Sequence, residues 1–313
     1  MPLLSIVVPV FNEEAVLLAF FNETVSALSL LPEDLQFEIV FVDDGSQDSS
    51  KQLIQEFAQT HEFVRLIVLS RNFGHQAALT AGLHAAKGDA IVSIDCDLQD
   101  PPTVILQMVE AWGAGADVVL GKRRTRDGET FFKLMSARVF YRLVASISDV
   151  PLSRDVGDFR LVNREVLDVL LTLHEASPYY RGLVNWVGFN QVELEYDRDP
   201  RRAGETKYSL KKMLRLALSG ITSFSDKPLQ VASTLGLTFM SCSFLGGGAI
   251  LIAKLLNPER SLPGFASILL AVLFLGGIQL FSIGILGVYL GVVNQNTKSR
   301  PRFVVKKSES IKP

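Results

Sequence analysis

The 313-residue sequence predicts an α/β domain, a mostly parallel sheet with helices on both faces, followed by an interfacial helix and a two-helix transmembrane hairpin. Strand-like and helix-like segments alternate over residues 1–200, as they do in parallel sheets. Polar clusters follow the apolar strands, where ligands bind in such sheets. Two long runs after residue 228 contain no charged residue, which is typical of membrane-spanning helices.

The alternation begins with the first residues of the chain. Short apolar runs predict strands at 5–10, 37–42, 64–69 and 90–94. Helical spacing of apolar residues predicts helices between them at 13–30, 49–60 and 76–86. The N-terminal residues lack a basic region and a small-residue cleavage site, so they are interpreted as part of the first strand and not as a signal peptide.

Polar clusters follow four predicted strands: Phe11-Asn-Glu-Glu14, Asp43-Asp44, Arg71-Asn72 and Asp95-Cys-Asp97. The spacing of Asp95 and Asp97 lets both side chains point the same way if the strand ends there. With the amide oxygen of Gln99, they offer the hard oxygen ligands that suit Mg²⁺ or Mn²⁺. The alternative is an acidic loop cap that binds nothing, because an isolated Asp-x-Asp motif is weakly specific.

Composition and motifs disfavour several functional classes. The net charge of −2 lacks the basic excess expected of a nucleic-acid-binding protein. No dinucleotide-binding or Walker pattern follows the first strand, and no serine nucleophile elbow occurs. Cys96 and Cys242 lie in unlike contexts, so no disulfide is expected and the chain is predicted to face a reducing compartment. The histidines lack metal-ligand spacing and are interpreted as surface or packing residues: His61, His75, His84 and His174.

Two uncharged runs, 229–253 and 265–293, are predicted to span a membrane. As helices each would be at least about 37 Å long, enough to cross a hydrocarbon core of about 30 Å. Buried core helices are the disfavoured alternative, because uncharged runs this long are rare in soluble proteins. The linker 254–264 is short and contains two prolines and a glycine, so we expect a hairpin with both ends on one side.

Basic residues predict the orientation of the hairpin. Its loop carries only Lys254 and Arg260, whereas lysine and arginine are abundant on both flanks. By the positive-inside rule, the N-terminal domain at 1–206 and a basic tail at 294–313 are predicted to be cytoplasmic.

Basic and apolar residues at helical spacing in 207–228 indicate an amphipathic helix in the membrane interface, with an ordinary domain helix as the alternative. Glycines in both spans indicate a homo-oligomer, although packing of the two spans on each other would use the same glycines.

Several motifs together resemble a known family. Val7-Val-Pro-Val-Phe-Asn-Glu-Glu14, Val42-Asp-Asp-Gly-Ser46, Arg71-Asn-Phe-Gly-His-Gln-Ala-Ala-Leu79 and Asp95-Cys-Asp-Leu-Gln-Asp-Pro-Pro102 resemble family 2 glycosyltransferases of the GT-A fold. The resemblance narrows to the polyisoprenyl-phosphate glycosyltransferases, which include bactoprenol glucosyltransferases and dolichyl-phosphate mannose synthases. The narrowing depends on Gly121-Lys-Arg-Arg-Thr-Arg126, Asp158-Phe-Arg160 and Arg202-Ala-Gly-Glu-Thr-Lys-Tyr208, followed by the hairpin.

This resemblance, which covers nearly the whole chain, implies roles for individual residues. Those implied for nucleotide-sugar binding are Pro9, Phe11, Glu13, Asp43, Asp44, Asp95, Arg202 and Lys207, with Arg202 and Lys207 facing the phosphates of either the donor or the acceptor. Those implied for the metal are Asp95, Asp97 and Gln99, and those implied for catalysis are Asp97, Arg123, Arg126 and Asp158. The two arginines would face the acceptor phosphate and Asp158 the reacting sugar, although Asp155 could occupy that position instead. Without the resemblance, Arg123, Arg124 and Arg126 would be interpreted as a solvated loop that binds no ligand.

The implied activity is inverting transfer of a hexose, with UDP-glucose as the preferred donor, to a polyisoprenyl phosphate. GDP-mannose and a UDP-linked arabinose derivative are alternative donors. A processive polysaccharide synthase is disfavoured because the chain lacks Gln-x-x-Arg-Trp and has too few spans for a polymer channel. A non-catalytic membrane scaffold is also disfavoured, because it would not need the acidic cluster.

Overall fold

The computed structural model describes residues 1–124, 156–173, 175, 178–198, 227–256 and 264–306. The described residues form two compact units. The first contains the described residues up to 198 together with 299–306, and the second contains 227–256 and 264–298.

The first unit is built on a seven-stranded sheet. Its strands are β1 (Leu3–Val10), β2 (Gln36–Asp43), β3 (Val64–Val68), β4 (Ala90–Ser93), β5 (Val118–Arg123), β6 (Val156–Asn163) and β7 (Gln191–Tyr196). Its helices are α1 (Glu14–Leu28), α2 (Ser50–Thr60), α3 (His75–Ala85), α4 (Val104–Gly113), α5 (Arg164–Thr172) and α6 (Tyr180–Trp186). The spatial order is β3-β2-β1-β4-β6-β5-β7, and β6 alone among these strands runs antiparallel to its neighbours. The predicted mostly parallel sheet is therefore confirmed.

Both faces of this sheet carry helices, as predicted. Alternate residues of β1, including Ile6 and Val8, join Phe20 and Met108 in one core beneath α1, α2 and α4. On the opposite face, α3 packs so closely on β1 that a Cβ at Gly82 would overlap the side chain of Val7. The sheet is thus buried on both sides, which leaves its edges and strand ends as the sites available for ligands.

Strand β6 is the antiparallel strand of this mostly parallel sheet, and its direction determines where the site forms. Its antiparallel pairing with β4 joins Ser93, the last residue of β4, to Arg160 near the start of β6. The amino end of β6 therefore lies beside the carboxyl ends of the parallel strands. Asp158 reaches the same edge of the sheet as Asp95, although the two residues enter it from opposite strand directions.

The second unit contains two long apolar helices, α7 (Lys227–Leu256) and α8 (Phe265–Thr297). At 1.5 Å per residue they are about 45 and 50 Å long. Leu229–Ala249 and Phe274–Thr297 are long and apolar enough to cross a membrane, so the second such segment extends four residues past the predicted end at 293. Large apolar side chains point outward, and Phe244 is 84% exposed. The Phe239 and Phe274 rings, 5.2 Å apart, meet edge to face between the helices.

A buried polar cluster, away from the carboxyl ends of the parallel strands, stabilises the first unit. The Glu38 carboxylate accepts hydrogen bonds from Ser5 Oγ at 2.6 Å, Lys87 N at 2.7 Å and Arg65 Nη1 at 2.8 Å. Burial alone would raise the pKa of Glu38, but these hydrogen bonds and the charge of Arg65 lower it below its usual value of 4.5. The ionised carboxylate therefore links β1, β2, β3 and the turn before β4.

We expect Glu38→Gln to lower the free energy of unfolding by about 1–3 kcal/mol at pH 7, because the variant loses charged hydrogen bonds in a buried site. The folded-state pKa of Glu38 is lowered, so its contribution is present above the unfolded-state pKa and is lost as the pH falls through the folded-state pKa. The difference between wild type and variant should therefore shrink below about pH 4.5. Unfolding curves of detergent-purified protein at pH 7 and pH 4 measure this, and an equal difference at both pH values would contradict it.

Candidate active site

Most of the predicted site residues in the described part of the chain meet at one edge of the sheet. Pro9 is the penultimate residue of β1, Asp43 ends β2, and Asp95, Asp97 and Gln99 follow β4. Arg123 ends β5, which runs in the same direction as these strands, while Asp158 stands at the start of β6. The carboxyl ends of parallel strands converge in this way, which is why ligand sites form there.

The loops after β1 and β2 are tied to each other. Asn12 donates its backbone N–H to Ser46 Oγ at 3.0 Å and accepts the Gln47 N–H on its side-chain oxygen at 2.8 Å. Buried Asp43 accepts the Ser46 N–H at 3.1 Å. The predicted nucleotide-binding residues of these loops, half-buried Phe11 and Glu13 among them, therefore sit on a rigid pair of turns.

Asp44 anchors the next loop of the site, which leads into α3. Its two oxygens accept the backbone N–H groups of Phe73 at 2.7 Å and Gly74 at 2.9 Å, and only 2% of the residue is exposed. Gly45, at φ +75°, lets this loop approach, because a Cβ there would lie 2.8 Å from the Arg71 carbonyl carbon. Asp44 therefore holds loop 71–74 beside the site, while its predicted contact with the nucleotide stays a prediction.

The acidic loop after β4 presents its carboxylates in different environments. The Asp95 side chain is 36% exposed, whereas Asp97 is buried and accepts the Gln99 N–H at 3.2 Å. Leu98 between them adopts φ 56°, a left-handed conformation that is rare for leucine and turns the chain sharply. Burial raises the pKa of Asp95, and the nearby negative charge of Asp97 adds to that effect.

These residues fit a divalent cation of the predicted kind. Within the described ranges, no three acidic, histidine or cysteine residues are arranged to hold an ion by themselves. Two carboxylates and the Gln99 amide are nevertheless sufficient for Mg²⁺ or Mn²⁺ when phosphate and water oxygens complete the shell. Burial is the largest cause of the raised pKa of Asp95, and the charges of Asp158 and Asp97 raise it further, so a cation bound here would favour the ionised carboxylate.

Asp158 is the most heavily paired carboxylate of the site. Arg181 donates to both of its oxygens, from Nε at 3.1 Å and from Nη2 at 2.9 Å. Arg160 Nη2 donates at 2.8 Å and Gln76 Nε2 at 3.3 Å. Burial alone would raise the pKa of Asp158, but the charge of Arg181, the contact with His75 and the charge of Arg160 lower it well below its usual range. Asp158 is therefore ionised at neutral pH.

His75, the first residue of α3, joins the two acidic groups. Its Nε2 lies 3.6 Å from Asp95 Oδ1 and 3.6 Å from Asp158 Oδ2. Burial lowers the pKa of His75, but the contact with Asp158 and the charge of Asp95 outweigh this and raise it to about 9. The interpretation of His75 as a surface or packing residue is therefore wrong. Its place directly after the polar loop 71–74, where α3 starts at the sheet edge, is the signal that could have identified it.

A second buried carboxylate, Asp100, organises the basic side of the site. Its Oδ1 accepts from the Tyr196 hydroxyl at 2.6 Å and from Arg198 Nε at 3.3 Å, and its Oδ2 lies 3.7 Å from Arg123 Nη2. Arg123 is three-quarters buried, and its Nε has no hydrogen-bond partner among the described residues. Arg124 instead pairs with exposed Asp197 at 3.1 Å. The solvated-loop alternative therefore fits Arg124 and not Arg123.

Sequence reasoning missed Arg181 and Asp100 as well as His75. Arg181 lies more than twenty residues from Asp158 along the chain, and only the fold brings α6 to the start of β6. Asp100 was visible as part of the acidic run, but its contacts come from β5 and β7. Four predicted residues lie outside the described part of the chain, so their roles stay predictions: Arg126, Asp155, Arg202 and Lys207.

Comparison with known families agrees with this geometry. Residues 5–171 match the family described as glycosyl transferase family 2, which is more than half of the chain. The chain belongs to glycosyl transferase family 2. The carboxylates at the strand ends thus lie in a domain of this family.

Two relatives of this family 2 chain align with it over nearly the whole length of both proteins. It is 45% identical to the uncharacterized glycosyltransferase YkcC of Bacillus subtilis (strain 168), with 98% of this chain and 94% of the relative covered. It is 43% identical to the SfII prophage-derived bactoprenol glucosyl transferase of Shigella flexneri, with 99% of each covered. Among solved structures, S. aureus TarS 1-349 in complex with UDP-GlcNAc aligns with a TM-score of 0.49 and 20% identity, covering 70% of this chain and 65% of that one.

Proposed function

We propose that this family 2 transferase moves glucose from UDP-glucose to a polyisoprenyl phosphate at the cytoplasmic face of a membrane. One observation carries the proposal: an ionised, fully paired Asp158 lies beside the candidate metal ligands in a chain matched from end to end by bactoprenol glucosyl transferases. The two apolar helices support a membrane-bound acceptor. A cytoplasmic catalytic domain, an interfacial helix at 207–228 and a homo-oligomer are part of the proposal.

The donor would be held at the ends of β1, β2 and β4. Pro9, Phe11, Glu13 and Asp43 line the tied loops that would take the nucleoside. Asp95, Asp97 and Gln99 would hold Mg²⁺ or Mn²⁺, which when bound stabilises the negative charge that develops on the departing diphosphate. The half-exposed Asp95 carboxylate leaves room for this contact, while buried Asp97 is held in place by the turn at Leu98.

The acceptor phosphate needs little help from a general base. A phosphate monoester has a second pKa near about 6, so it is already mostly a dianion at neutral pH. Asp158 is a poor candidate for a base, because its pKa is lowered well below the working pH. We propose that Asp158 instead orients the sugar and stabilises positive charge at the anomeric carbon. In-line attack by the phosphate would then convert an α-linked donor into a β-linked product.

Cations must separate the negative acceptor from the negative leaving group. Arg123 is suited to this role, because its guanidinium is held at the sheet edge by Asp100 and not spread into solvent. A held guanidinium binds phosphate with less loss of side-chain entropy than a mobile one. Arg126, Arg202 and Lys207 would add further positive charge, as the family resemblance implies.

We expect Asp100→Asn to raise the KM for polyisoprenyl phosphate about 10-fold while the KM for UDP-glucose changes less than about twofold. The variant keeps a hydrogen-bond acceptor for Tyr196 but loses the charge that holds Arg123, and a tenfold effect corresponds to about 1.4 kcal/mol. Asp197→Asn is the matched control, because it removes the same charge from a residue that pairs with Arg124 at the surface. Equal increases in both KM values would contradict this prediction and indicate that Asp100 also affects binding of the donor.

The proposed activity is tested with membranes that contain this protein, Mg²⁺ or Mn²⁺, and polyisoprenyl phosphate. Labelled UDP-glucose, UDP-galactose and GDP-mannose are supplied in turn, and label is followed into the organic phase, with Asp97→Ala as control. We expect lipid-linked label from UDP-glucose that disappears in the control. Label from GDP-mannose alone would identify GDP-mannose, and not UDP-glucose, as the donor. No label from any donor, with folded protein, would favour the non-catalytic scaffold.

A further inference from the structure

Residues 299–306, called the strap here, lie against the sheet of the first unit. The Ser70 N–H donates to the Val304 carbonyl and the Lys306 N–H donates to the Val68 carbonyl, both at 2.8 Å. Leu69 and Val305 form the antiparallel bridge between these two hydrogen bonds. β3 is the outermost strand on this side of the described sheet, so the strap pairs with backbone groups at the carboxyl end of an edge strand.

A single arginine fixes the other end of the strap. The Arg302 guanidinium donates to the Leu173 carbonyl just after α5. It also lies close enough to the Tyr180 hydroxyl, at the start of α6, to partly offset the rise in the pKa of Tyr180 that burial causes. Next to it, the ring of Phe303 lies 5.9 Å from that of His84 on α3. The strap therefore contacts β3, α3, α5 and α6 within eight residues of chain.

Two of these contacts lead to Asp158. The Tyr180 hydroxyl donates to Thr80 Oγ1 at 3.2 Å, and Thr80 Oγ1 donates to the Gln76 carbonyl at 2.6 Å. The side chain of Gln76 in turn donates to Asp158. The residue after Tyr180 is Arg181, which holds both oxygens of Asp158. Arg302 thus contacts the segment at which α6 begins, and Tyr180 extends this connection to α3 through Thr80.

The C-terminal end of the strap is also connected to the surroundings of Asp158. Ser70, which is bonded to the strap, directly precedes loop 71–74, and that loop ends at His75. Asp44 accepts hydrogen bonds from the end of the loop, at Phe73 and Gly74, and the strap binds Ser70 just before its beginning. The loop that leads to His75 is therefore held at both of its ends.

We propose that the strap is a positioning element of the active site, with Arg302 as its principal positioning residue. Its contacts set where α3 and α6 begin, and these helix starts place His75, Gln76 and Arg181 around Asp158. The chain reaches the strap directly from α8, so the membrane hairpin and the site geometry are connected through a segment of eight residues. The effect on turnover rests on the proposed function, whereas the effect on backbone protection does not.

Four full-length variants test this proposal. Arg302→Met removes the contacts with Leu173 and Tyr180, and Arg300→Met is its control because it removes the same charge from an exposed neighbour. Lys306→Pro removes the backbone donor to Val68, and Lys306→Ala is its control because it keeps that N–H. Hydrogen exchange is measured at residues 70–76 and 178–186, with α1 as internal reference. UDP affinity and turnover are measured on the same preparations.

In Arg302→Met and Lys306→Pro we expect exchange at 70–76 or 178–186 to rise about 10-fold, α1 to be unchanged, kcat to fall about 10-fold and UDP affinity to be kept. Both controls should behave as wild type. Unchanged exchange in both test variants, or equal loss of protection across α1, would overturn the proposal. If local exchange rises in the test variants but the wild-type protein transfers no sugar, the positioning role of the strap is retained and only the proposed function is rejected.

Discussion

Asp158→Asn is expected to lower kcat about 100- to 1,000-fold with little change in UDP affinity. Asp158 carries a full negative charge, because Arg181, His75 and Arg160 together keep its pKa well below neutral pH. In the proposed mechanism the amide would remove the charge that stabilises the developing positive charge of the sugar, and the loss of one preorganised electrostatic group costs rates of this order. Turnover with UDP-glucose and UDP binding by calorimetry measure the two parts of the prediction.

The Asp158 prediction needs a control for folding, because removal of one partner from a buried ion-pair network costs about 3–5 kcal/mol of stability. Asp168→Asn is suitable, since it removes a carboxylate of the same region that pairs only at the surface with Arg164 at 3.7 Å. In the proposed role Asp158 exchanges no proton, so Asp158→Asn should keep the acid limb of the wild-type pH–rate profile, whereas the pKa of His75, which Asp158 raises, should fall. Loss of an ionisation from the acid limb would contradict the electrostatic role and favour a general base.

Asp97→Asn is expected to lower turnover about 100- to 1,000-fold and to abolish the metal dependence of UDP binding. Asp97 is buried and its carboxylate accepts the Gln99 N–H, so its oxygens have a defined position beside Asp95 in the acidic loop. A cation held by fewer protein oxygens stabilises the leaving diphosphate less well. UDP affinity, measured with Mn²⁺ and with EDTA, separates this effect from a loss of catalysis alone.

For wild type, we expect Mn²⁺ to raise UDP affinity at least about 10-fold over EDTA, and for Asp97→Asn we expect no difference. The exposed Asp34→Asn is the control and should behave as wild type. If wild-type protein bound UDP equally well in EDTA, Asp95 and Asp97 would have a role other than metal binding. The acidic cap considered as the alternative would then be the better interpretation.

Local patterns were sufficient to predict the first half of the sheet. The strands and helices before Ile94 agree with the structure to within two residues at each end, because each apolar run is bounded by polar or turn-forming residues. The antiparallel entry of β6 was not predictable in this way, since nothing in Val156–Asn163 specifies its direction. The strap was not predicted either, because Val304 and Val305 form too short an apolar run to indicate a strand.

The site was predictable where its residues share one strand end and unpredictable where partners come from distant elements. Asp95, Asp97 and Gln99 follow a single strand and are visible as a run. The hydrogen-bond donors to Asp158 come from α3, β6 and α6, so its pairing depends on long-range packing that the spacing of residues in the sequence does not reveal. The same holds for Asp100, whose partners lie on β5 and just at or beyond the end of β7.

The most direct test of the proposed glucosyl transfer is the stoichiometry and configuration of the product made by purified protein. Labelled UDP-glucose and polyisoprenyl phosphate are incubated with Mn²⁺, and free UDP, free glucose and lipid-linked glucose are measured together. We predict one UDP released for each glucose transferred, with a β-linked glucosyl phosphate by NMR. Release of UDP matched by free glucose would indicate hydrolysis, an α-linked product would exclude single in-line attack, and either result would contradict the proposed mechanism.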